Sequence, residues 1–262
     1  MARNQSLLFG FYLDALRMEE VVQRCRTAIV TRKRVLVGVV NAAKLVKVRS
    51  DPLLCNALTQ CDLLLADGQS VVWASRLLGR PLPERVTGID LFQELLSLAH
   101  TEDRSIYLLG ATPQVLGRLR KELGRRFPGL RVAGSHDGYF KDDEAAAIAA
   151  EIKAASPDML FLGMTSPKKE LFLARYGSSL DVPVLHGVGG SFDILAGVTR
   201  RAPEIWQRAG MEWAYRVLQE PGRLWWRYMT TNTAFVALTI RELIRPMHAY
   251  RPNGVGVARG RA

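Results

Sequence analysis

Apolar residues recur along this chain in two alternating rhythms. Short continuous runs, Val35 to Val40, Asp62 to Ala66, Ser105 to Gly110, Met159 to Met164 and Val184 to Val188, are separated by longer stretches in which apolar positions return every three or four residues. The first rhythm predicts buried strands and the second predicts helices. Helices are predicted over Met18 to Val30, Ala42 to Val48, Leu53 to Gln60, Ser70 to Leu78, Ile89 to Ala99, Val115 to Phe127 and Asp142 to Ala155, and from the SPKKE turn (Ser166 to Glu170) to about Tyr176. Start signals agree: Asp51-Pro52 and Thr112-Pro113 put a capping side chain before a proline at the first helical position. Arg131 to Gly134 adds a weak strand. Strands alternating with helices specify an α/β class, a Rossmann-like, mostly parallel sheet with helices on both faces.

The rhythm changes near the end. Val184 to Val188 runs into Gly189-Gly190, a helical pattern opens at Phe192, and arginines interleaved with tryptophans follow. From Arg200 onward there are eleven Arg, no Lys, four Glu and no Asp, so this part supplies +7 of the net +11. It also holds Trp206, Trp213, Trp225 and Trp226. Three parts are therefore expected: an α/β domain over 1–199, a basic, aromatic, helical appendage over 200–250, and a disordered tail over 251–262. Such a patch suits an anionic membrane surface or nucleic acid. The longest apolar stretch there, Thr233 to Ile240, is too short to span a bilayer. The first residues, with Asp14 among them, do not read as a cleavable signal. Cys25, Cys55 and Cys61 form no CxxC, which argues against a disulfide framework or zinc site and for a reducing compartment.

In a parallel sheet, ligands gather where strands hand over to helices at their carboxyl ends. Four handovers carry polar residues: Asn41, Asp67, Thr165 to Lys169, and Gly189 to Asp193. Asp67 precedes a glycine, so it is either a turn former or a carboxylate placed to take a proton. Arg85 either pairs with Glu84 or Asp90 or presents its fork of donors to a diphosphate. Ser166 stands where it could cap a helix whose amides face an anion. Asp193 is either a first-turn helix acid or a ligand contact. No Asp-x-Asp holds a divalent ion and the four histidines are scattered, so no metal site and no cofactor is expected. Phe192 stands where G-x-G-x-x-G needs its third glycine, which weakens a dinucleotide reading.

The stretch VGGSFDILAGVTRRAPEIWQRAGMEWAYRVLQEPGR, preceded in order by Asn41, ADG (Ala66 to Gly68), PERVTGID (Pro83 to Asp90), DGYF (Asp137 to Phe140) and SPKKE, resembles the signature of the WecG/TagA/CpsF glycosyltransferases. The resemblance runs from about Val35 to Tyr228. It implies a bacterial enzyme that passes a sugar from a UDP-sugar donor, N-acetylmannosamine in the best-known case, to a polyprenyl-diphosphate-linked acceptor in surface or exopolysaccharide assembly. It further implies inversion without a metal ion, Asp67 as general base, Arg85 on the leaving group, and Asn41, Tyr139, Lys169 and Asp193 on the substrates. Arg216 and Arg223 match appendage arginines, assigned to the acceptor's diphosphate. The implied location is cytoplasmic, on the inner face of the membrane, with an anionic membrane surface as partner, no nucleic acid, and room for a homo-oligomer. Two positions depart from the family pattern. Val39 stands where threonine is usual, and Lys169 replaces a glutamine; a lysine suits a phosphate or an acidic sugar. Left open from the residues alone are a nucleotide-sugar-modifying oxidoreductase or epimerase and a basic nucleic-acid-binding protein.

Overall fold

The five apolar runs and the weak strand form one sheet. The computed structural model describes residues 4–208 and 210–250, with their side chains except those of Arg208, Arg216, Arg223 and Arg227. In chain order the first half comprises β1 (Gln5–Leu8), β2 (Phe11–Asp14), α1 (Met18–Thr31), β3 (Val35–Val40), α2 (Ala42–Lys47), α3 (Pro52–Thr59), β4 (Leu63–Ala66), α4 (Gln69–Leu77), α5 (Gly88–Thr101) and β5 (Ser105–Gly110). The second half comprises α6 (Pro113–Arg126), β6 (Arg131–His136), α7 (Ala145–Ala155), β7 (Met159–Gly163), α8 (Lys168–Tyr176), β8 (Val184–Gly187), α9 (Ser191–Leu195), α10 (Glu204–Arg208), α11 (Glu212–Gln219) and α12 (Pro221–Ile244).

The six-stranded sheet has the order β4-β3-β8-β7-β5-β6 and every pairing in it is parallel. All its strands but the edge strand β6 are apolar on both faces because both faces are covered. Val37, Val39, Leu63, Leu65, Ile106, Leu108, Met159 and Phe161 point into one core with α1, α5 and α6. Their alternate neighbours point the other way, into a core with α7 and α8 on the β5–β7–β8 side, and into one with α2, α3 and α4 on the β3–β4 side. Each fully buried Leu or Phe in these layers stabilises the fold by roughly 1.5–3 kcal/mol.

The expected fold class is therefore present, with differences at two places. Residues 5–14, for which no element was expected, form an antiparallel hairpin. Phe9 (φ 53) and Gly10 (φ 84) make its two-residue turn, a left-handed pair that fits the twist of a tight hairpin. Asp14 is buried and its Oδ2 accepts from the Leu64 amide at 2.8 Å, so the hairpin covers the outer edge of β4. The helix expected from Asp142 begins instead at Ala145, because the Lys141 amide donates to Glu144 Oε2 (2.6 Å) and holds 142–144 as a turn.

The basic appendage packs on the sheet domain. Phe235 and Leu238 of α12 are buried in the core that contains Leu8, Phe9 and Leu45. Glu242 is fully buried; Arg80 reaches its Oε1 at 3.2 Å while also donating to the Leu7 carbonyl at 2.6 Å. The opposite side of α12 shows Trp225, Trp226, Met229, Val236, Ile240 and Ile244 to the outside. Among the described residues no helix is long and apolar enough to cross a membrane. The tail 251–262 lies outside the described residues.

Candidate functional site

The carboxyl ends of β3, β4, β7 and β8 surround a cleft of about 620 Å³, where the winding of the sheet reverses beside β3. Asn41, Lys44, Asp67, Lys169 and the Gly189-Gly190 turn line it. A smaller cavity of about 250 Å³ adjoins it, sharing Asn41 and Asp67 and reaching Arg85, Arg201 and Glu212. Of the sequence-predicted residues, the structure brings Asn41, Asp67, Arg85 and Lys169 together here.

Asp67 sits between the two spaces. It does not cap α4, whose N-cap is Gly68 without a side-chain bond. Its Oδ1 instead accepts from the Gly88 amide at 3.0 Å, across 21 residues of sequence, at the first turn of α5. The positive end of a 14-residue helix thus faces the carboxylate. Its second oxygen has no hydrogen-bond partner among the described residues. Gly88 is held from the other side: its carbonyl lies 3.1 Å from Nε2 of His186, a fully buried residue of β8. Burial lowers the His186 pKa more than its carbonyl partners, Gly88 and Val37, raise it, so the ring is neutral at pH 7.

Asn41 caps α2, its Oδ1 accepting from the Lys44 amide at 3.0 Å. Lys44 turns back to donate to the Val39 carbonyl (2.7 Å) and lies 2.9 Å from Glu170 Oε1. Lys169 lies 3.1 Å from that same oxygen. Both ammonium groups are within hydrogen-bonding distance, so one Glu170 oxygen serves two lysines. Burial pulls Lys169 down to about 8, with the Lys44 charge adding to it. Burial raises the Glu170 carboxyl, but Lys44 and Lys169 outweigh it and bring it to about 2. Ser166 does not cap α8: Pro167 holds the cap position, and the Ser166 hydroxyl is buried with no partner among the described residues.

On the other side, Arg85 donates to Glu212 Oε2 of α11 at 2.9 Å and pairs with neither Glu84 nor Asp90. Glu84 accepts from the Met18 amide (2.5 Å), and Asp90 takes a two-pronged contact from Arg201 at 2.6 and 3.0 Å. Burial raises the Asp90 carboxyl, yet the hydrogen bonds from Arg201 and Thr87 bring it below its usual value. Arg201 also reaches Glu212 Oε1 at 3.4 Å, so a chain of alternating charges ties α5 to α11 along the cavity wall.

Two predicted contacts stand away from the walls. Tyr139 is 75% exposed and lines neither space. Its loop approaches the cleft only through Gly138, which lies against Met164, and it is fixed by Lys168, whose Nζ donates to the Gly138 and Phe140 carbonyls at 2.9 and 2.8 Å. Asp193 is on α9, but Ser191 and Ile194 face the cleft in its place. The side chains of Arg216 and Arg223 lie outside the described residues.

The sequence model of the glycosyl transferase WecG/TagA/CpsF family matches residues 6–249. The chain belongs to that family and is a glycosyltransferase. It is 37% identical over 185 residues to the N-acetylglucosaminyldiphosphoundecaprenol N-acetyl-beta-D-mannosaminyltransferase of Bacillus spizizenii, a match covering 71% of this chain and 70% of the relative. A protein of the same description from Staphylococcus aureus is 37% identical over 167 residues, covering 64% of this chain and 65% of that one.

Four residues that position this transferase's site escaped the sequence reading. Lys44 lay in a helix with no visible reason to turn inward, and Lys168 was read only as part of a turn. His186 looked like one apolar-strand residue among several. Arg201 did have a signal: of the paired arginines Arg200-Arg201 in the family-like stretch, one faces the acids of two other elements.

Proposed function

We propose that this glycosyltransferase moves a sugar from a UDP-sugar, of the N-acetylmannosamine type or another hexose, to a polyprenyl-diphosphate-linked saccharide in cell-surface or exopolysaccharide synthesis. The transfer inverts the anomeric centre and uses no metal ion. The observation that carries the reading is the Asp67 carboxylate, one oxygen fixed by the Gly88 amide and the other open between two spaces large enough for two substrates. The acceptor hydroxyl attacks the anomeric carbon from the Asp67 side and gives its proton to the open oxygen. The bond from that carbon to the diphosphate breaks on the opposite face, and UDP leaves with the electron pair. Arg85 meets the growing charge by exchanging Glu212 for a phosphate oxygen, which is electrostatic stabilisation by a prepositioned donor. The names of the two relatives support the lipid-linked acceptor.

Asn41 and Lys169 hold substrate from the cleft wall, and Tyr139, on its exposed loop, and Asp193, on α9, are the further donor contacts of this reading. Residues 200–250 serve as the acceptor-facing part beside the domain formed by 1–199, with Arg216 and Arg223 on the lipid diphosphate. The exposed tryptophans and apolar side chains of α12 rest at the inner face of the cytoplasmic membrane. The test is Asp67→Asn, assayed for transfer to a lipid-linked acceptor with and without EDTA. Turnover of the variant is expected to drop about a hundredfold or more, the scale of a lost general base, with UDP binding kept. EDTA is expected to leave the wild type active. Loss of transfer in EDTA with restoration by manganese would defeat the metal-independent mechanism.

A further inference from the structure

On the floor of the cleft two lysines meet a single adjacent carboxylate. Lys44, Lys47 and Lys169 line the cleft; Lys47 pairs with Asp51 at 3.8 Å, Glu170 lies behind both Lys44 and Lys169, and Asp67 stands across the space. Two of the three Lys44 donors face the Val39 carbonyl and Glu170. Asp67 acts on Lys169 only through space, with one oxygen committed to Gly88. Two ammonium groups therefore share one adjacent carboxylate, and Lys169, itself 7% exposed, has its charge under-compensated.

The local backbone delivers that ammonium into the cleft. Gly187 ends β8 without a side chain, and the stem of Lys169 crosses the space a side chain would need: a Cβ there would stand 2.9 Å from Lys169 Cδ and 3.1 Å from Cε. The Nζ then ends beside the turn, 3.8 Å from where a Cβ on Gly189 would be. On the same wall the buried Ser166 hydroxyl has no partner among the described residues. A buried cation with spare donors, beside an unused hydroxyl and a glycine turn, is complementary to an oxyanion.

We propose that Lys169, supported by Lys44 through Glu170 and assisted by Ser166, forms an oxyanion subsite that takes a negatively charged group of the donor. Two sources share that chemistry, the donor's diphosphate and a carboxylate on the transferred sugar. The proposal rests on the UDP-sugar reading and adds the charge of the group recognised at this wall.

The experiment is calorimetric titration of the full-length wild type and Lys169→Gln with UDP, UDP-glucose and UDP-glucuronate. A loss of about tenfold or more in affinity for all three, the scale of one charge-assisted hydrogen bond, assigns the subsite to the diphosphate. A loss confined to UDP-glucuronate assigns it to the sugar carboxylate. Wild-type constants for all three ligands in Lys169→Gln overturn the subsite. A second measurement needs no variant. Since Lys169 sits at about 8, an anion beside it raises that value, and wild-type binding at pH 8 is expected to take up protons from buffer. Uptake should appear with every ligand that places its anion there, and its absence with all three also overturns the proposal. If the wild type binds none of the three, it is the UDP-sugar reading that fails, and the subsite falls with it.

Discussion

At the scale of single residues, this site is governed by where charge is neutralised. Glu170 is the one carboxylate within ion-pair distance of both Lys44 and the buried Lys169 among the described residues, so its removal leaves both uncompensated. Glu170→Gln is expected to cost about 3 kcal/mol or more at pH 7, the scale of breaking a buried ion pair, measured by urea unfolding. The pH dependence has a definite sign. A carboxyl at about 2 in the folded protein and near 4.5 in the unfolded chain lends stability that is complete above pH 4.5 and is lost as pH falls towards 2. The wild type should lose stability across that window, and Glu170→Gln should show a shallower fall there. Equal slopes for the two proteins would mean that Glu170 is not held by its lysines. Lys169 works in the opposite range: at about 8 folded against 10.5 unfolded, it adds stability as pH rises from 8 to 10.5.

At the scale of elements, α12 presents two faces with different duties. One shows Trp225, Trp226, Met229, Val236 and Ile240 to the outside, whereas the other buries Phe235, Leu238 and Glu242 against α2, the hairpin and Arg80. Phe235 packs on Phe9 with ring centroids 5.3 Å apart. Phe235→Ala is expected to destabilise the protein by about 3–5 kcal/mol, the usual cost of emptying a buried phenylalanine site, read from chemical denaturation. A change under about 1 kcal/mol would mean that the helix does not dock, since surface substitutions stay within that range. The same docking explains the hairpin. Residues 5–14 alternate too briefly to announce a sheet, and a two-stranded hairpin alone is marginal in water. Burial of Phe9 under α12 and capping of the β4 edge by Asp14 supply what it lacks.

For the whole molecule, the proposed transfer to a lipid-linked acceptor calls for the cleft and the exposed face of α12 to act together. Trp225→Ala combined with Trp226→Ala is expected to abolish sedimentation with anionic liposomes and to lower transfer to a lipid-linked acceptor, while UDP binding stays at the wild-type value. Unchanged liposome binding would remove the membrane role from this face. A deletion of residues 200–250 would be a poorer test, because it would also uncover the core around Phe9 and Leu45. How much of this could be read from the chain alone follows from how local each determinant is. The parallel sheet was legible because each strand buried on both faces must be apolar throughout, and each crossover helix carries its own period and cap. Asn41, Asp67 and Lys169 were legible as candidates because they stand directly after strands, where any doubly wound sheet opens its crevice. Their partners were not. Asp67 is held by Gly88, Arg85 by Glu212, and Lys169 by its neighbour Glu170 together with Lys44, and all but the Lys169–Glu170 contact form only when separate segments pack. Tyr139 and Asp193 carry the same lesson: residues adjacent to a cleft in sequence face it only if the turn of their loop or helix aims them there. The sequence thus determined the sheet, its order of elements and the edge on which chemistry gathers, since these follow from periodicity and burial. The tertiary structure alone decided which charges face one another, because Coulomb energies depend on distance and burial, and neither is written in sequence separation.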